Sequence, residues 1–185
     1  MVGTSGSGKT TFSRDAAHRL GVPHLELDSL HHQPDWVPAP VEQFRAGLGA
    51  FLDSSDAADG WVVDGNYATR CVGMLDEADT VVWLDYSRAV VMGRVVRRTL
   101  GRGLLRRELW NGNRERLSRM FARDPERNIV LWAWTTHARN AARLGEAASA
   151  AVARRAQGEG SAGVRWVRLT GPRAARRWLD DLGRS

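Results

Sequence analysis

Apolar positions along this chain recur at two spacings, and the segments they mark alternate. Phe12, Ala16, Ala17 and Leu20 share one face of a helix over 11–20. Val41, Phe44, Leu48, Phe51 and Leu52 mark another, opened by Pro40 and closed near Ser54. Short apolar runs at 22–27, 61–63, 80–84 and 164–169 have the length of buried strands, and the first three end at carboxylates, Asp28, Asp64 and Asp85. Residues 88–99 predict a helix with a basic end, and 114–144 a helical stretch interrupted at Asp124-Pro125. A last helix at 172–182 puts Ala175, Trp178, Leu179 and Leu182 on its apolar side. Segments 29–40 and 100–113 read as loops. Residues 147–163, rich in Ala, Gly and Arg, read as low-complexity sequence that begins helical and ends as a mobile surface loop.

Strands alternating with helices predict an α/β fold of three layers, α/β/α, in which helices cover both faces of a parallel sheet. The chain has 185 residues, 43% of them hydrophobic, which suffices for one such domain over 1–185, with a lid or arm at about 98–125. Cys71 is the sole cysteine. It excludes a disulfide framework and CxxC metal sites, fits a reducing cytoplasm, and predicts a small buried side chain. No run approaches the ~20 apolar residues that span a bilayer, so the expected location is cytoplasmic, with no membrane partner. The formal charge of +6 suits a nucleic-acid binder, and equally a protein that surrounds phosphorylated substrates with guanidinium groups.

The chemistry starts at Gly3-Thr4-Ser5-Gly6-Ser7-Gly8-Lys9-Thr10, a full GxxxxGK[ST] match that leads directly into the first amphipathic helix. Lys9 is the only lysine among 27 Lys+Arg. One lysine persists where a flexible stem must carry a compact ammonium to phosphate oxygens, a task the guanidinium fork does not suit. Backbone amides of the loop residues Gly3, Ser5, Gly6, Ser7 and Gly8, continuing through Lys9, Thr10 and Thr11, are expected to cradle the phosphates of ATP, and the Thr10 hydroxyl to face Mg²⁺. Such a loop needs a strand-end carboxylate opposite it. Asp64 in Gly60-Trp61-Val62-Val63-Asp64-Gly65 is the expected second Mg²⁺ residue, with Asp85 as the fallback.

Asp28 is expected on the acceptor side, orienting or deprotonating a hydroxyl. His31 and His32 follow it as loop residues, since no further ligands at zinc spacing accompany them. Trp36 is expected either to wall an acceptor pocket or to cover the core edge. Arg94, Arg97, Arg98, Arg102, Arg106 and Arg107 straddle a glycine-bearing segment, and Arg98 with Arg102 is the expected phosphate-contacting pair. Asp76-Glu77-Ala78-Asp79 spells a helicase signature, but it precedes a strand instead of ending one. Only Met1 and Val2 precede Gly3, where this kind of loop leaves a buried strand. The expectation is that the first strand is truncated and that the natural chain begins several residues upstream.

Together, GTSGSGKTT, HLELDSLHHQPDW, GWVVDGNY, ADTVVWLDYSR and the arginine-rich segment after it cover about two thirds of the chain. They resemble the adenylate-kinase-like phosphate-loop proteins, and among these the topology modulation proteins. The resemblance implies a five-stranded parallel sheet whose central strand precedes the loop, between the strands ending at Asp64 and Asp85. It implies ATP bound by Gly6, Gly8, Lys9, Thr10 and Thr11, lid arginines at Arg98 and Arg102, and a substrate carboxylate at Asp28, where small-molecule kinases of the shikimate kinase type keep one. The DGFPR signature of nucleotide kinases stands here as Asp64-Gly65-Asn66-Tyr67-Ala68, so the Pro-Arg that helps bind a nucleoside monophosphate is missing. The implied activity is Mg·ATP-dependent phosphoryl transfer to an unidentified small-molecule or nucleotide acceptor. The family label also suggests the alternative of a nucleotide-responsive, DNA-associated regulator, although no DNA-reading motif is evident.

Overall fold

The computed structural model describes residues 1–75, 77–105, 110–113, 128–156 and 164–182. Strands and helices alternate as β1 (Val2–Gly3), α1 (Lys9–Leu20), β2 (His24–Glu26), α2 (Leu27–His31), α3 (Val41–Leu52), β3 (Val62–Asp64) and β4 (Thr80–Leu84). Then follow α4 (Arg88–Leu105), α5 (Ile129–Ala156), β5 (Arg165–Leu169) and α6 (Pro172–Leu182). All strand pairs are parallel: β2 with β3, β1 with β4, and β4 with β5. Although β1 is only two residues long, Met1 joins the two sets of strands. Its main-chain nitrogen donates to Val63 O at 2.6 Å and its carbonyl accepts from Gly65 N at 3.2 Å. The ladders form a three-stranded sheet, β1-β4-β5, and a two-stranded one, β2-β3; the Met1 bonds set β3 beside β1, and the Gly3–Thr10 loop leaves β1 between β3 and β4. Parallel strands end on one edge, so Gly3, Glu26 and Asp64 come together there.

Alternation along the strands divides the packing. Val82 and Leu84 of β4 are buried in a cluster with Phe12 and Ala16 of α1 and Leu179 of α6. Trp83, one residue out of step, points to the other face, where its ring lies against Gly145 of α5. A second cluster joins Leu27, Phe44, Leu48, Val63 and Cys71 beneath α3, so the cysteine is the small buried residue its context predicts. Helix α1 stops at Gly21, whose φ of 70° lets the amide of Val22 return to Ala17 O at 3.1 Å. Among the described residues, no helix is long and apolar enough to cross a membrane.

Four expectations change. Residues 27–31 form α2, so Asp28 lies in a first helical turn and not at a strand end, and His31 is helical instead of a loop residue. The cause is tertiary: Leu27 is buried and Leu30, one turn on, packs over Gly47 of α3, so helical spacing at two leucines outweighs the polar composition. Helix α4 runs on through 100–105, which read as loop. Helix α5 continues to Ala156, shortening the expected 147–163 loop. The remainder of that loop, and of the lid at 106–109 and 114–127 with Arg106, Arg107 and Asp124-Pro125, lies outside the described residues, as does Asp76.

Candidate functional site

The loop between β1 and α1 is shaped by glycines and clamped from three directions. Gly6 and Gly8 have φ of 86° and 90°, a left-handed backbone that other residues adopt only at a cost. The first helical bond of α1 runs from Phe12 N to Gly8 O at 3.0 Å, so the amides of Lys9, Thr10 and Thr11 have no partner within the helix. Asn66, just past β3, grips the loop's entry: its Nδ2 donates to Gly3 O at 2.7 Å and its Oδ1 accepts from Gly3 N at 3.2 Å. Arg94 of α4 grips the other limb, donating from Nη1 to Ser7 O at 2.6 Å while its guanidinium lies 5.0 Å over the Tyr86 ring.

Helix α4 also sets the steric limit. A Cβ on Gly6 would collide with Val95 Cγ2 and stand 3.2 Å from Val91 O. Gly6→Ala is therefore expected to destabilise the protein by about 2–5 kcal/mol, backbone strain and overpacking together. A denaturant midpoint equal to that of the parent would show that α4 does not press on the loop.

Lys9 folds across the loop, donating to Gly3 O at 2.8 Å and Thr4 O at 3.4 Å. Burial lowers its pKa, opposed chiefly by the negative charges of Asp28 and Asp64 and, less, Glu26, while Arg98 adds to the lowering. Three carboxylates and one arginine thus converge on the ammonium. The Thr10 hydroxyl donates to Glu26 Oε1 at 2.7 Å and lies 3.5 Å from Asp64 Oδ1. Asp64 is 2% exposed, and its other oxygen is 2.7 Å from His24 Nε2. Asp28 Oδ1 accepts from the Tyr67 hydroxyl at 2.7 Å. Burial, with Asp28 beside it, pushes the Tyr67 pKa up, so the phenol stays a donor.

Lys9, Thr10, Glu26 and Asp28 border a cleft of about 1120 Å³ that runs from the loop along α1 to α6, and Asp64 lies buried behind Thr10. Arg14, Arg19, Arg94, Arg97, Arg98 and Arg176 line it, as do Glu26 and Asp28. The expected loop residues from Ser5 through Thr11 all border it. Arg98 is there too, whereas Arg102 follows on the same helix with its side chain outside the described residues. Asp85, the fallback carboxylate, is not at the cleft: Arg168 Nε and Nη2 hold its Oδ2 at 2.8 and 2.5 Å.

His31, His32, Tyr67 and Trp36 form a chain of ring contacts at 4.7–5.2 Å beside Asp28. Burial lowers the pKa of both histidines, which favours neutral imidazoles. A short segment between α4 and α5 fastens this loop. Asn111 Nδ2 donates to His32 O at 2.5 Å, Asn113 Nδ2 to Gln33 O at 2.9 Å, and Trp36 N to Asn113 Oδ1 at 2.9 Å. Among the described residues, the non-glycine ones with left-handed φ, Asp35, Trp36 and Asn111, all sit at this contact.

Glu26, His24, Asn66, Tyr67 and Arg94 were not singled out as site residues by sequence. The alternation His24-Leu25-Glu26 signals two polar residues on one strand face, and Asn66 follows Asp64-Gly65 directly. Arg94 had only its place in an arginine cluster to mark it. Compared with known proteins, the chain matches no protein-family model and no curated protein.

Proposed function

We propose that this chain is an ATP-binding P-loop protein of the adenylate-kinase-like class that transfers a phosphoryl group from Mg·ATP to a small hydroxyl-bearing acceptor. The observation that carries the reading is Lys9 folded over a glycine loop at a basic cleft that Thr10 and Arg98 also line, with the Thr10 hydroxyl 3.5 Å from the buried Asp64 carboxylate. At about 1120 Å³ the cleft is at or above the size of a typical small-ligand pocket, ~300–1,000 Å³, which leaves room for a nucleotide and an acceptor.

The donor set fits Mg²⁺, since hydroxyl and carboxylate oxygens are its preferred ligands. Thr10 Oγ1 and Asp64 Oδ1, 3.5 Å apart, would hold the ion between them, the carboxylate through its water shell. When bound, Mg·ATP supplies the transferable phosphoryl group and charge neutralisation. The loop amides and Lys9 hold phosphate oxygens, and Arg98 stabilises charge spread over them. Asp28 keeps one oxygen on Tyr67 and turns the other to the acceptor hydroxyl, whose proton it takes as the new O–P bond forms and the β–γ bridge bond breaks.

An acceptor panel of nucleoside monophosphates and small hydroxylated metabolites, read by ATP consumption, tests this. The expected result is a Mg²⁺-dependent rate raised at least about tenfold by one class of acceptor. The +6 charge favours a second reading, a DNA-associated regulator that responds to nucleotide. Under it, DNA affinity falls steeply with salt, as counterion release requires, and no acceptor stimulates turnover. Absence of DNA binding in low salt, with and without ATP, rejects that second reading.

A further inference from the structure

The Thr10 hydroxyl stands between two carboxylates, and each of these is held from behind. The β2–β3 register places Glu26 beside Asp64 at the strand ends. Glu26 Oε1 accepts a hydrogen bond from the Thr10 hydroxyl at 2.7 Å, which leaves the lone pairs of Thr10 Oγ1 for a cation. Its Oε2 is 3.3 Å from the Arg14 guanidinium, which is 65% exposed and so holds it weakly. Asp64 is gripped differently. His24, two residues before Glu26 and on the same strand face, puts Nε2 2.7 Å from Oδ2, and both side chains are nearly out of solvent, 12% and 3% exposed.

A buried carboxylate with one oxygen fixed this closely cannot rotate freely, so the other, Oδ1, stays directed at Thr10 Oγ1. We propose that His24 is a positioning residue for the divalent cation, acting through Asp64 to hold Oδ1 directed at its water shell. The inference rests on the reading of Thr10 and Asp64 as the Mg²⁺ pair. It adds a residue that never touches nucleotide, metal or acceptor, and it depends on the hydrogen bond and not on a change of charge.

The test is calorimetric titration of the full chain with ATP, in excess Mg²⁺ and again in EDTA, for the parent, His24→Ala and His24→Gln. His24→Ala is expected to lose about 10–100-fold in Mg·ATP affinity, the usual effect of removing a partner behind a metal ligand, while ATP affinity in EDTA stays within about twofold. His24→Gln, whose side-chain amide reaches the same oxygen, is expected to recover most of the loss. Equal losses with and without Mg²⁺ would assign His24 a merely structural part and overturn the proposal. So would Mg·ATP affinity in His24→Ala equal to that of the parent. If His24→Ala does not fold, His24→Asn replaces it, being too short to reach Oδ2. A parent protein that binds no ATP under either condition overturns the functional reading and this inference with it. Parent-like Mg²⁺ dependence in the variant overturns this inference alone.

Discussion

Lys9→Ala is expected to weaken ATP binding by about 30-fold to several thousandfold, the equivalent of about 2–5 kcal/mol for deleting one member of a buried charge constellation. The range follows from what surrounds the ammonium. Asp28, Asp64 and Glu26 all act on Lys9. Without it, three carboxylates face the incoming triphosphate with less to offset them, so the variant loses an attraction and exposes a repulsion. Lys9→Arg is expected to bind nearly as poorly. The ammonium reaches Gly3 O and Thr4 O by folding its stem over the loop, in a space that a planar fork does not enter without displacing the glycine backbone. Titration calorimetry on both variants checks this, with melting curves to confirm that the loop still folds. Unchanged affinity in Lys9→Ala would remove the central support for the proposed function.

What the sequence disclosed depended on how local the signal was. The loop, helices α1, α3 and α6, and strands β3 and β4 were legible because periodicity, caps and turn residues lie within each segment. The site residues that escaped notice are set by relations between segments. Glu26 matters because strand register puts it next to Asp64, and nothing within 22–27 announces that pairing. Arg94 is one of several arginines on α4, and only the packing of Val91 and Val95 against Gly6 selects it to reach Ser7 O. The same reason explains Asp85, which resembles Asp64 along the chain. Its carboxylate is taken by Arg168 of the neighbouring strand β5.

Helix α2 shows the reverse error, a segment whose composition suggested a loop while two leucines fixed it as a helix on α3. That change moved Asp28 from a strand end into a helical turn without removing it from the cleft. Its partner Tyr67 supplies what composition could not, a reason for one of its carboxylate oxygens to be occupied.

The two carboxylates that act most on Lys9 are expected to fail differently. Asp64→Asn keeps the shape of the side chain and removes the charge from the Mg²⁺ side, so Mg·ATP affinity is expected to fall about 10–100-fold while transfer from whatever ATP is bound persists. Asp28→Asn still offers a carbonyl oxygen to the Tyr67 hydroxyl, so the local packing and the nucleotide side remain, and ATP affinity is expected to stay within about threefold. The amide, however, takes no proton from an acceptor hydroxyl, and transfer is expected to drop by about 10²–10⁴. The split is decided by position: Asp64 reaches the Thr10 hydroxyl through Oδ1, whereas Asp28 is tied to Tyr67 and the aromatic chain that Asn111 and Asn113 fasten from the lid side. Calorimetry with Mg·ATP and single-turnover transfer to the acceptor identified in the panel measure the two effects separately. Equal loss of ATP affinity in both variants would place Asp28 on the nucleotide side and overturn its assignment, and transfer at the parent rate in Asp28→Asn would show that the acceptor proton leaves by another route.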